Sequence, residues 1–138
     1  FSTGISRSAG QILLEQDRGT RGADKSMVAN LHRVKEIGIA SRDALLTGNL
    51  RLLGELMHEH WAWKKQRSKS MSSEHIDDLY ECGRKHGAIG GKLIGAGGGG
   101  FMMFCTSDPE KLRAAMFDRG LAELSYDFAY EGTRVLVS

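Results

Sequence analysis

The sequence predicts an α+β domain in which an antiparallel sheet is packed with helices, and three observations carry that prediction. Helical apolar periodicity dominates the first 87 residues. Two short apolar runs then flank an uninterrupted glycine run, Gly97 to Gly100. Finally Leu124, Tyr126, Phe128 and Tyr130 alternate with Ser125, Asp127 and Ala129 as a strand with one buried face does. Helices segregated ahead of neighbouring strands give layers of helix on sheet.

Phe1-Ser2-Thr3 has the character of the end of a strand. From Ser6 to Arg18, Ile5, Ala9, Ile12, Leu13 and Gln16 recur at helical spacing, with Ser6 as N-cap and Gly19 just past the end. Arg7 in that first turn opposes the helix dipole, so it is either a solvated arginine or one that reaches toward an anion. A second helix is expected over Ala23 to Thr47, where Met27, Leu31, Val34, Ile37, Gly38, Ser41 and Leu45 form one stripe ended by Gly48. Gly38 and Ser41 on the stripe suggest close helix packing, and His32 falls on the solvent side.

Asn49 caps a third helix with Leu50, Leu53, Leu56, Met57, His60 and Trp61 on its apolar side. His58 and His60 are two apart and diverge, so they do not form a chelating pair. Lys64, Lys65, Arg67 and Lys69 crowd the end of this helix. They either complement the dipole in solvent or, with the polar stretch Ser68 to Ser73, surround a phosphate. Ser73 caps a fourth helix with an acidic first turn, a basic last turn and Gly87 at its end. After the glycines, Phe101 to Cys105 has the length of a central strand. A helix to Arg119 then starts either at an Asp108 cap with Pro109 or at a Ser107/Glu110 capping box. Gly132-Thr133 turns the alternating strand into Arg134 to Val137.

The glycine stretch limits the chemistry. Ordering glycine is entropically costly, and the return is a backbone that adopts positive φ and approaches a ligand, most often phosphate, or another backbone. Gly95, Gly97 and Gly100 satisfy the dinucleotide spacing, but a strand follows rather than the required helix. Lys92 precedes the loop, which excludes a Walker A motif, and no protein-kinase catalytic loop lies downstream.

The chain has 138 residues, the length of a single domain (1–138), with 41% hydrophobic and 26% charged residues. Its formal net charge of +2 gives no case for a nucleic-acid partner. No apolar run reaches membrane-spanning length and no signal-peptide pattern opens the chain, so no membrane partner and a cytoplasmic setting are expected. Cys82 and Cys105 are expected to be buried free thiols.

Lys92-Leu93-Ile94-Gly95-Ala96-Gly97-Gly98-Gly99-Gly100-Phe101 resembles the C-terminal motif of the GHMP small-molecule kinases. His58-Glu59-His60-Trp61, Lys64-Lys65, Arg67-Ser68, Gly87 to Lys92 and the opening Thr3 to Ala9 resemble, within that family, the D-glycero-D-manno-heptose 7-phosphate kinase branch. The resemblance implies a ferredoxin-like C-terminal domain of an ATP- and Mg²⁺-dependent sugar kinase acting on the anomeric hydroxyl of that heptose phosphate. It further implies that the catalytic base and metal ligand lie in an N-terminal partner domain, so that no catalytic or metal residue is expected here and the isolated chain is inactive. Gly95, Ala96, Gly97, Gly98, Gly99 and Gly100 would then supply phosphate-binding amides, with Lys92 fixing the loop or a nearby anion. Arg7, Lys64, Lys65 and Arg67 are candidates for the substrate's phosphate, and a homodimer is compatible with this reading. A fucokinase-like sugar kinase and a non-catalytic ligand-binding or interaction module are the alternatives.

Overall fold

The computed structural model describes residues 1–6, 9–22, 24–127, 130–132 and 134. Helices α1 (Ala9–Arg21), α2 (Lys25–Leu46), α3 (Leu50–Lys65) and α4 (Glu74–Lys85) precede strands β1 (Ala88–Ile94) and β2 (Phe101–Thr106), and α5 (Pro109–Asp118) follows. The expected α+β class is present.

The caps explain most of the helix limits. Asp24, which the periodicity did not single out, accepts from the amides of Ser26 and Met27 and starts α2 after residue 23. Asn49 accepts from Leu52 N–H at 3.0 Å, and Ser73 from Ile76 N–H at 3.3 Å. Asp108, with Pro109 behind it, accepts from Lys111 N–H and decides between the two starts open to α5. Gly19 lies inside α1 rather than beyond it. Arg7 and Ser8 lie outside the described residues, and with them the phosphate candidate and the first turn expected for α1.

β1 and β2 pair antiparallel, with Lys92 opposite Met103 and Ile94 opposite Phe101. The N-terminal segment extends the sheet: Met102 N–H donates to the Phe1 carbonyl, Thr3 N–H to that of Gly100, and Ser2 N–H to that of Ala122 on the far side. The strand expected over Leu124 to Tyr130 is not formed across residues 124–127; 128 and 129 lie outside the description, as does most of the hairpin expected to follow. Leu124 and Tyr126 are exposed and line a groove beside β2, so their alternation does not reflect a buried face.

α3 lies across β1 at Gly54 and Gly90. A Cβ on Gly90 would run into the Gly54 carbonyl, so only glycine allows the two backbones to meet there. Trp61, Met71, Ile76, Tyr80, Leu93 and Met102 form one core cluster with Ile12. A second, around Leu79, Leu112 and Met116, seats α5. Gly38 has nothing near its Cβ position, so the close packing expected there is absent; the buried residues of α2 are Asn30, Ile37 and Ala44. Cys82 is buried, Cys105 only partly, and both are free thiols.

Candidate functional site

The loop between β1 and β2 is held at both ends by groups distant in sequence. Gly98 N–H donates to the Met71 carbonyl and Gly100 N–H to that of Ile5, each at 2.9 Å. The Gly100 carbonyl accepts from both the amide and the hydroxyl of Thr3. At the other end Lys64, at the last turn of α3, donates from Nζ to the Leu93 carbonyl at 3.1 Å and the Gly95 carbonyl at 2.6 Å. The loop thus closes against α3, the turn after it and the N-terminal segment.

Two of the six amides assigned to ligand binding, those of Gly98 and Gly100, are therefore used inside the protein. Among the described residues the amides of Gly95, Ala96, Gly97 and Gly99 have no protein acceptor. Gly97 has a φ of +120° and a Cβ there would strike Met71 Sδ, so the bend combines a left-handed conformation with a close approach. Beside it a cleft of about 440 Å³ is lined by Ser2, Gly4, Ile5 and Ser6 with the loop itself. Unengaged amides around a positive-φ bend make a concavity that accepts phosphate oxygens. The loop therefore presents backbone donors of the kind that hold an anion's oxygens. Among the described residues no three metal-ligating side chains come together, so no residue here is assigned to Mg²⁺.

The expected basic candidates separate. Lys64 is buried, at 8% exposure, and its ammonium is spent on the loop carbonyls. Lys65 turns away, pairing with Asp77 at 3.0 Å and lying over the Trp61 ring. Arg67 donates from Nε to Asn30 Oδ1, and Asn30 in turn donates to the Trp63 carbonyl. Lys92, half-buried on β1, is depressed by burial. It is Lys64 rather than Lys92 that fixes the loop.

Arg67 and Lys92 act on Lys64, and all three act on His60. Burial, then the charges of Lys92 and Arg67, bring Lys64 down to about 8. Burial, then the charges of Lys92, Arg67 and Lys64, bring His60 down to about 4 and leave it neutral at pH 7. Neither His60 nor Asn30 was among the expected site residues. Asn30 falls in register with Val34, Ile37, Ser41 and Ala44 on α2, and a polar residue on a buried stripe was the available signal. Lys64 likewise follows Gly54, Met57 and Trp61 on the buried side of α3.

With this geometry in place, comparison with known proteins is specific. The family described as GHMP kinases C terminal matches residues 41–121. D-glycero-alpha-D-manno-heptose 7-phosphate kinase of Campylobacter jejuni is 30% identical over 137 residues, 97% of this chain and 40% of its own length. The bifunctional fucokinase/GDP-fucose pyrophosphorylase of Arabidopsis thaliana is 31% identical over 111 residues, 80% of this chain and 10% of its own. The chain thus spans well under half of either relative. In the fold, L. major mevalonate kinase, solved with R-mevalonate, superposes with a TM-score of 0.75 over 85% of this chain and 35% of its own, at 24% identity. The matched segment runs from α2 through the glycine loop to the end of α5, and on that ground the chain belongs to the GHMP kinases, with residues 41–121 forming their C-terminal domain.

Proposed function

We infer that this chain is the glycine-loop half of an ATP- and Mg²⁺-dependent sugar kinase that phosphorylates the anomeric hydroxyl of D-glycero-D-manno-heptose 7-phosphate. The observation that carries the reading is the loop: four unengaged amides at a positive-φ bend, held on one side by Lys64 and on the other by Thr3 and Ile5. Phosphoryl transfer needs charge stabilisation and positioning more than covalent chemistry, and fixed amides beside the transferred group supply both. The identity with the Campylobacter jejuni heptose kinase supports the choice of sugar. ATP bound with Mg²⁺ supplies the phosphoryl group, while this chain's residues bind and orient. In this reading an N-terminal kinase domain brings the base and the metal ligands, the chain alone does not catalyse, and the setting is cytoplasmic. A fucokinase-like acceptor preference is the second reading, favoured by the plant relative.

The test is phosphotransfer from ATP with Mg²⁺ to heptose 7-phosphate and to fucose. This chain is compared with the same chain extended upstream by its natural sequence to kinase length. Transfer to the heptose phosphate only in the longer protein is the expected result. Transfer to fucose instead moves the assignment to the second reading, and turnover by this chain alone overturns the division of labour.

A further inference from the structure

The positive charge gathered between the end of α3 and β1 has no counter-charge among the described residues. Among the described residues, Lys65 has Asp77 and Arg33 has both Glu36 and Glu59, yet Lys64, Arg67 and Lys92 have no carboxylate partner. Partly buried cations kept close to one another without an anion are costly, because desolvation and mutual repulsion act together. Arg67 is nonetheless held in place by Asn30, itself buried at 4% exposure and tied to the backbone of α3. Two buried nitrogens of the group, Arg67 Nη2 and His60 Nδ1, have no hydrogen-bond partner. Buried polar atoms are nearly always satisfied, so two orphans beside cations that lack a carboxylate point to a missing acceptor.

We propose that His60, Arg67 and Lys92 seat a phosphomonoester dianion, and that Lys64 links occupancy of this seat to the glycine loop. A dianion matches the two charges that have no other task, whereas a carboxylate brings one; the planar guanidinium fork suits phosphate oxygens. Its charge also offsets the repulsion that Lys92 and Arg67 exert on Lys64. The ammonium then keeps its proton and grips the Leu93 and Gly95 carbonyls more firmly, so a phosphorylated acceptor orders the loop that meets the transferred phosphate. The source of the phosphate, the sugar acceptor, rests on the kinase reading above; the seat itself does not. The substrate class follows: sugar phosphates rather than unmodified sugars.

The experiment is an imidazole NMR titration of this chain with inorganic phosphate, a hexose 6-phosphate, the free hexose and ATP at constant ionic strength. Phosphate and hexose phosphate are expected to saturate and to raise the His60 pKa, while the free hexose does nothing. Lys92→Met and Arg67→Gln should each weaken binding roughly tenfold, the scale of a charge-assisted hydrogen bond, with Lys92→Arg restoring it and the exposed Lys69→Met leaving it unchanged. The wild-type His60 shift reads the seat even if a variant does not fold. Non-saturating phosphate effects, equal weakening by Lys69→Met, or ATP binding that depends on Lys92 while the hexose phosphate does not bind would each overturn the proposal. Saturable phosphate binding without phosphotransfer in the extended protein sinks the kinase reading alone. Phosphotransfer without phosphate binding to the cluster sinks the seat alone.

Discussion

Lys64 Nζ lies 2.6 Å from the carbonyl oxygen of Gly95 and so ties the last turn of α3 to the first residue of the glycine loop. Replacing it with methionine keeps the stem but leaves the Leu93 and Gly95 carbonyls without their donor. Lys64→Met should cost about 1–3 kcal/mol in urea unfolding, the range for a buried polar group left unsatisfied. Release from repulsion by Lys92 and Arg67 lowers that figure within the range. Unchanged stability together with unchanged amide exchange in residues 95–100 would remove the pin.

Stability should rise with pH in two windows. His60 is depressed to about 4 in the fold against 6.5 in the unfolded chain. Between those values the unfolded state binds more protons, so its contribution is complete above pH 6.5 and is lost as pH falls toward 4. Lys64, depressed to about 8 from 10.5, acts in the same sense between those values. The groups facing them are each other, Arg67 and Lys92. Urea midpoints from pH 4 to 7 should slope upward in the wild type and lose much of that slope in His60→Gln. An unchanged slope in the variant would locate the acid sensitivity elsewhere.

Two glycines of the loop should separate strain from collision. Gly95 has a φ of +95° with open space around its Cβ position, so Gly95→Ala should cost only the left-handed penalty, about 1–2 kcal/mol. Gly97→Ala adds the encounter with Met71 and should cost more, with Met71→Ala relieving part of the difference. Equal melting temperatures for the two single variants would contradict the packing.

Gly90→Ala tests the seam between α3 and β1. The atoms in its way are the backbone of Gly54 and His58, which cannot turn aside as a side chain does. The expected loss is about 3 kcal/mol, the upper end for overpacking, read as a fall in the urea midpoint. A substitution tolerated without loss would mean that α3 does not lie on the sheet at that point.

Tyr80 sits beneath the sheet with its hydroxyl 2.6 Å from His58 Nδ1, and burial raises it to about 12. Tyr80→Phe should cost about 1 kcal/mol for the lost bond, and the His58 titration followed by NMR should move. An unmoved His58 would dissolve that pair.

Much of the fold was legible because it is local. Asn49, Ser73, Asp108 and the stripes of α3 and α4 act within a few residues, and the glycine run declares its own conformational need. The strand expected from Leu124 was misjudged for the converse reason. Alternation describes a ribbon with two faces but does not supply a neighbour for its edge, and the edge of β2 is occupied by Phe1 to Thr3.

The sequence by itself determined the helices, the loop and the family resemblance, since these rest on nearest-neighbour sterics, capping and a contiguous motif. Only the tertiary structure decided the use of each cation. Lys64 and Lys65 are adjacent and chemically alike, yet one holds the loop and the other an exposed aspartate, because a 100° step around α3 sends one toward the sheet and the other to α4. Electrostatic work depends on which charges are brought within a few ångströms and how much water is left between them, and that is settled by packing rather than by order along the chain.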